Sequence, residues 1–169
     1  FAKNQEMLRL LNAQFQEKTI EKTYLAVVRG HTDESVTIDY ALQHESGKMQ
    51  DAITQFKTLN RFEIPIAMGK HETSRYSLLE VSPLTGRMHQ IRKHLAHLRH
   101  PIVGDRPHGC NKQNKLWKEN WAMMTMLLHA HTLKFDHPYS NTRQEIVAQK
   151  SVEFERVLTI LQPSMANKA

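Results

Sequence analysis

Between Thr85 and Asp105 the chain reads TGRMHQIRKHLAHLRHPIVGD, and this stretch concentrates its reactive side chains. From Arg87 to His108 the bases Arg87, Arg92, Lys93, Arg99 and Arg106 face a single acid, Asp105. A guanidinium grips a carboxylate or a phosphate in a fixed, planar way, which an ammonium cannot do. A strip of this density is the electrostatic footprint of a phosphate backbone. His89, His94, His97 and His100 share the segment, and His129, His131 and His137 recur together later. Zinc needs ligands that converge from one face, usually His at i and i+4 with a third ligand. His89 and His94 are five apart, and His129 and His131 lack an obvious third ligand. No metal site is therefore expected. The histidines are read as hydrogen-bonding positions and as part of a surface for a polyanion.

The elements that must position these groups are a strand and a helix. Arg75 to Ser82 is β-rich (Tyr76, Leu78, Leu79, Val81) and ends at Pro83. The Thr-Gly pair turns the chain, and Thr85 is expected to N-cap a helix starting near Arg87. Met88, Ile91, Leu95 and Leu98 recur at helical spacing as an apolar stripe. At about 100° per residue, Arg92 and Arg99 lie on its edge, while His89, Lys93 and His97 point away. An arginine at such a boundary packs its stem and aims its head along the surface or into a cleft. A merely solvated basic face is the competing interpretation.

The pattern TGRxHQ(I/L)RxHLxxxxxPIxGD resembles the signature of the pseudouridine synthases, in the branch related to ribosomal large-subunit synthase A. Two further segments resemble the same family in the right order. KxYxAxVxG falls on Lys22, Tyr24, Ala26, Val28 and Gly30, and LHAxxLxFxHP falls on Leu128 to Pro138. Ala52, Thr54 and Phe56 look like the family's AxTx(Y/F) strand. The resemblance implies an α+β fold, with a mixed, mostly antiparallel sheet flanked by helices and an RNA-binding cleft across it. It implies isomerisation of an RNA uridine to pseudouridine, with tRNA as the partner, a T-arm uridine as the target, and no cofactor. Tyr24 would stack on the flipped-out base. Arg92 would orient a nucleophilic aspartate, while Arg87, His89, Lys93, Arg99 and Arg106 would contact RNA.

That aspartate belongs to a motif HRLDxxTSG, which this sequence does not contain. Asp33, Asp39, Asp51, Asp105 and Asp136 lie in other motifs. The chain is thus expected to be the C-terminal part of a larger synthase, inactive alone, with Arg92 left without a partner. On that expectation Arg92→Met would be neutral or stabilising, and a loss of stability would point to another acid holding Arg92, Asp105 first.

The remaining elements follow from periodicity. Lys3 to Gln16 carries Met7, Leu8, Leu11 and Phe15 at helical spacing. Lys22 to Arg29 is a strand in which Tyr24, Ala26 and Val28 share a face. Val36 to Leu42 is a short apolar piece followed by a polar loop, Gln43 to Asp51. Ala52 to Phe62 is a strand with Ile53, Phe56 and Leu59 inward. Arg106 to Trp121 has no clean periodicity and is expected to be a loop whose tryptophans pack on the body. Leu128 to Pro138 and Gln144 to Ala148 are strands, and Val152 to Leu161 closes the chain as a helix.

Composition sets the outer bounds. The 169 residues form one domain's worth of chain, 40% hydrophobic and 24% charged. The formal charge of +6 permits nucleic-acid binding. No apolar run approaches the roughly 18 residues of a membrane span, and Cys110 alone excludes an internal disulfide. A cytoplasmic monomer is expected. A non-catalytic RNA-binding module using the Arg87–Asp105 segment, and a histidine-based metal nuclease, are the competing classes.

Overall fold

A computed structural model describes residues 1–162. Helix α1 (Gln5–Gln16) precedes strand β1 (Glu21–Arg29), and β2 (Ser35–Asp39) follows. A small hairpin of β3 (Leu42–Gln43) and β4 (Met49–Gln50) occupies the segment read as a polar loop. Strands β5 (Ile53–Ile64) and β6 (Ser74–Pro83) lead into helix α2 (Gln90–His97). Helix α3 (Asn111–Trp121), strands β7 (Leu128–Asp136) and β8 (Arg143–Val147), and helix α4 (Val152–Leu161) complete the order.

Six strands form one sheet in the order β2-β5-β6-β1-β7-β8. Every pairing among the described residues is antiparallel. The α+β class holds, without the parallel pairing that a mixed sheet would show.

Because successive side chains on a strand point to opposite faces, β1 feeds two cores. Leu25 and Val27 enter the first with Phe62, Tyr76, Trp117, Phe154 and Val157, beneath α3 and α4. Ala26 and Val28 enter the second with Phe56, Leu79, Val81, Ile91, Leu95 and Ile102, beneath α2. Tyr24 packs on the second cluster, so Tyr24, Ala26 and Val28 do share a face.

Several elements differ from the reading of the sequence. Residues 111–121 are a helix, not a loop. Gln113 and Trp117 are its buried residues, with Leu116 and Trp121 packed beside them, and the polar Gln113 on that face breaks the apolar stripe that would announce it. The buried Gln113 amide and the Trp117 indole both donate to the Tyr76 hydroxyl, the latter at 3.0 Å. That gives the Gln113 Nε2, the indole N–H and the Tyr76 hydroxyl partners inside an apolar core, while Gln113 Oε1 has none among the described residues. Trp117 does pack on the body, fully buried. In β5, Phe56 points inward as expected, but Leu59 is exposed because the register shifts between Thr58 and Asn60. An extra residue there turns Leu59 out of the alternation.

Helix α2 is also shorter than its apolar stripe. It begins at Gln90, with His89 at the N-cap in a left-handed conformation, and it ends before Arg99, which is left-handed too. Ile91 and Leu95 are buried, whereas Met88 lies before the helix and is exposed.

Candidate active site

The loop before α2 is held by a closed hydrogen-bond network. The Gln90 side chain is buried at the helix start, and its Nε2 donates to the Ile53 carbonyl and the Thr54 hydroxyl, both at 2.9 Å. Its Oε1 accepts from the Thr85 hydroxyl (2.7 Å) and the Arg87 backbone amide (2.9 Å). The Thr85 hydroxyl accepts in turn from the Ile53 amide at 2.9 Å. Thr85 is therefore a pin between the loop and β5, not the expected N-cap. The threonine and glutamine of TGRxHQ fix the backbone from which Arg87 and Arg92 project.

His94 extends this network through the core. It is fully buried, with Nε2 donating to the Tyr40 carbonyl and Nδ1 beside the Thr54 hydroxyl, both at 2.9 Å. A neutral ring with its proton on Nε2 accepts at Nδ1 from that hydroxyl. Burial pushes its pKa below 6.5, although the bond to Tyr40 opposes this. A histidine with a depressed folded pKa contributes stability that is complete above its ordinary value and is lost as pH falls through the folded one. His94→Gln is expected to lose about 1–3 kcal/mol at pH 8 by leaving buried groups imperfectly paired. Its disadvantage should shrink toward pH 5, read from urea midpoints. A constant difference across that range would mean that His94 does not titrate in the fold.

Beside this network lies a pocket of about 260 Å³ at the end of β1. Tyr24, Arg87, Arg92, His89, Gln90 and Lys22 line it, with Gly86 and Leu128. Tyr24 is half-buried, and burial raises its hydroxyl pKa, so the ring presents a neutral face. A β1 register shift between Thr23 and Tyr24 sits at the pocket edge.

Arg92 is not stranded. Its Nε donates to Asp105 Oδ2 at 2.8 Å and its Nη2 to Asp105 Oδ1 at 2.7 Å, a bidentate pair. Asp105 is 1% exposed, and its Oδ1 also accepts from the His108 amide at 3.2 Å. Burial works against the ionised carboxyl, but the Arg92 and His108 bonds and the Arg92 charge outweigh it, so the Asp105 pKa lies below its ordinary value. Arg92, expected to lack a partner within this sequence, has one thirteen residues away. Arg92 Nη1 has no acceptor among the described residues.

The other basic residues divide between surfaces. Arg87 reaches the pocket while its Nε donates to the Asp51 carbonyl at 3.0 Å. His89 is exposed at the rim, 3.2 Å from the His108 ring nitrogen. Lys93 is half-buried on α2 and Arg99 is exposed just after it, both outside the pocket lining. Arg106 lines a different cleft, with Lys115 and Lys118 of α3. Among the described residues, no group of three or more His, Cys, Asp or Glu side chains converges as a metal site. No helix there is long and apolar enough to cross a membrane.

With this geometry in view, comparison with known proteins places the chain. The profile of the RNA pseudouridylate synthase family matches residues 1–97, more than half of the sequence. The chain belongs to that family. Among curated relatives, tRNA pseudouridine synthase C of Vibrio parahaemolyticus is 43% identical over 164 residues, covering 90% of this chain and 66% of the relative. The same enzyme of Vibrio vulnificus is 44% identical with the same coverage. The chain thus spans just under two thirds of the length of these relatives. Two solved human structures share the pseudouridylate synthase fold. RNA Pseudouridylate Synthase Domain Containing 1 has a TM-score of 0.68 at 23% identity, covering 95% of this chain and 73% of that one. Domain Containing 4 has a TM-score of 0.71 at 20% identity, covering 97% and 70%.

Proposed function

We propose that this chain supplies the base-binding pocket and the RNA-facing surface of an enzyme that converts a tRNA uridine, in the T-arm, to pseudouridine. The observation that carries the reading is the convergence of Tyr24, Arg87 and Arg92 on one pocket. A base taken out of its stack needs an aromatic face and an apolar wall, and Tyr24 and Leu128 line the pocket with both. Arg92, immobilised by Asp105, keeps Nη1 for the nucleophilic carboxylate that the family's chemistry requires. That carboxylate would start cleavage of the N-glycosidic bond, after which the uracil turns and C5 joins the sugar. Arg87, His89, Lys93, Arg99 and Arg106 would contact the RNA. The relatives named as acting on tRNA support tRNA as the substrate class.

No aspartate or glutamate lines the Tyr24 pocket among the described residues. This 169-residue chain alone is therefore expected to bind unmodified tRNA without turning it over. Carbodiimide mapping after incubation tests the chemistry, and turnover above background would mean that another residue serves as nucleophile. Binding should weaken with salt, and Lys93→Ala or Arg99→Ala should flatten the slope of log K against log salt by about 0.7–0.9 each. An unchanged slope would remove α2 from the RNA interface.

A further inference from the structure

Lys22 stands where two cavities meet. It lines the Tyr24 pocket and also an adjoining cleft of about 800 Å³ bounded by Phe15, Lys18, Thr23, Pro83 and Arg87. Its ammonium lies 5.6 Å from the centre of the Phe15 ring and 3.8 Å from where a side chain on Gly86 would begin. It makes no hydrogen bond or ion pair to any acceptor among the described residues, while its neighbour Glu21 is taken by Arg143 at 2.5 Å. The other cation deep in the pocket, Arg92, is committed to Asp105. Burial alone lowers the Lys22 pKa, as befits an amine waiting for a counter-charge.

A half-buried ammonium without an acceptor is costly unless a ligand supplies one. The smaller pocket is lined for a base, and the larger cleft, with Lys18 and Arg87 on its walls, for a polyanion. A nucleotide whose base enters the smaller pocket must leave its phosphate near the junction of the two. An ammonium is a compact point charge with three donors, suited to one phosphate oxygen instead of a planar grip.

We propose that Lys22 is a positioning residue that holds a backbone phosphate next to the base seated on Tyr24. This rests on the reading of the Tyr24 pocket as the base site.

The test is equilibrium binding of a fluorescein-labelled, unmodified tRNA transcript to the full chain across a salt series. Lys22→Met, which keeps the stem, is expected to weaken binding about tenfold and to flatten the log K against log salt slope by about 0.7–0.9. Lys22→Arg should restore the slope and most of the affinity, which a purely structural role would not predict. Thermal melts check folding, with Lys22→Gln as the substitute if Lys22→Met does not fold. Wild-type affinity and slope in Lys22→Met, together with weakened binding in Tyr24→Ala, would overturn the Lys22 assignment and leave the base pocket standing. Unweakened binding in Tyr24→Ala would instead remove the base pocket, and with it the place assigned to this phosphate.

Discussion

Arg92→Met is expected to cost about 3–5 kcal/mol of folding stability, the amount typical of breaking a buried ion pair from one side. The reason is the state of Asp105, not of the arginine. Asp105 is 1% exposed and holds two charge-assisted bonds from Arg92, at 2.8 and 2.7 Å, and a longer one from the His108 amide. Methionine preserves the packing of the stem but leaves the buried carboxylate with a single amide donor. This reverses the expectation from the sequence, on which Arg92 lacked a partner and methionine was harmless. Urea midpoints at pH 7 measure the change. A loss under about 1 kcal/mol, the range of exposed ion pairs, would mean that Asp105 finds solvent on its own.

The same pair sets a pH signature. The Asp105 pKa is depressed in the fold, so its contribution is complete above the ordinary aspartate value of 3.8 and is lost as pH falls through the lower folded value. In Arg92→Met the unopposed burial acts the other way and favours the protonated acid. The gap between wild type and variant should therefore widen from pH 3 to pH 7. Adding Asp105→Leu should recover most of it, since a packed apolar replacement of both partners is often neutral. Equal gaps at both pH values would exclude Asp105 as the source.

How far the site was legible depended on which contacts are local in sequence. Tyr24, Ala26 and Val28 declared a common face because alternation along a strand needs no knowledge of its neighbours. The grouping of Tyr24 with Arg87 and Arg92 was readable only through the family signature, since strand and helix meet through folding. Thr85 was misread because a threonine before a helix is usually a cap. Its hydroxyl is instead claimed by Ile53 and Gln90, and Ile53 lies thirty-two residues away. Asp105, the one acid of a basic strip, is the first other partner the sequence offers Arg92, but only the turn that brings it back onto α2 decides for it. Lys22 stood in the KxYxAxVxG motif without a role, because its environment is a junction of cavities that no periodicity reveals. Helix α3 escaped for a different reason: its buried face contains a glutamine, and polar residues in a core are recognised only by their partners.

Gly104→Ala is expected to be at least as damaging as Arg92→Met, about 4 kcal/mol or more, in the range reserved for clashes that the fold cannot relax. Gly104 has φ +83°, a left-handed conformation that costs any L side chain. A Cβ there would also fall 2.0 Å from the Thr125 carbonyl oxygen and 2.8 Å from its carbon, and both are backbone. Neither side can give way cheaply. Val103 donates to the Val27 carbonyl at 3.0 Å and accepts from Leu127 at 2.9 Å, so the chain just before Gly104 is pinned between β1 and the segment that leads into β7. Gly104 itself donates to the Asn114 side chain at 2.9 Å, and Asn114 donates on to the Asp105 carbonyl at 2.7 Å. A displaced residue 104 would carry Asp105 with it and loosen the anchor of Arg92. The variant should therefore lose stability and tRNA affinity together, with the RNA effect persisting at temperatures where it is still folded. Thermal melts and binding at 10 °C separate the two. A melting temperature near that of the wild type would show that residues 125–126 can retreat. Normal tRNA affinity in a folded but destabilised variant would show that the Asp105 turn does not govern the pocket.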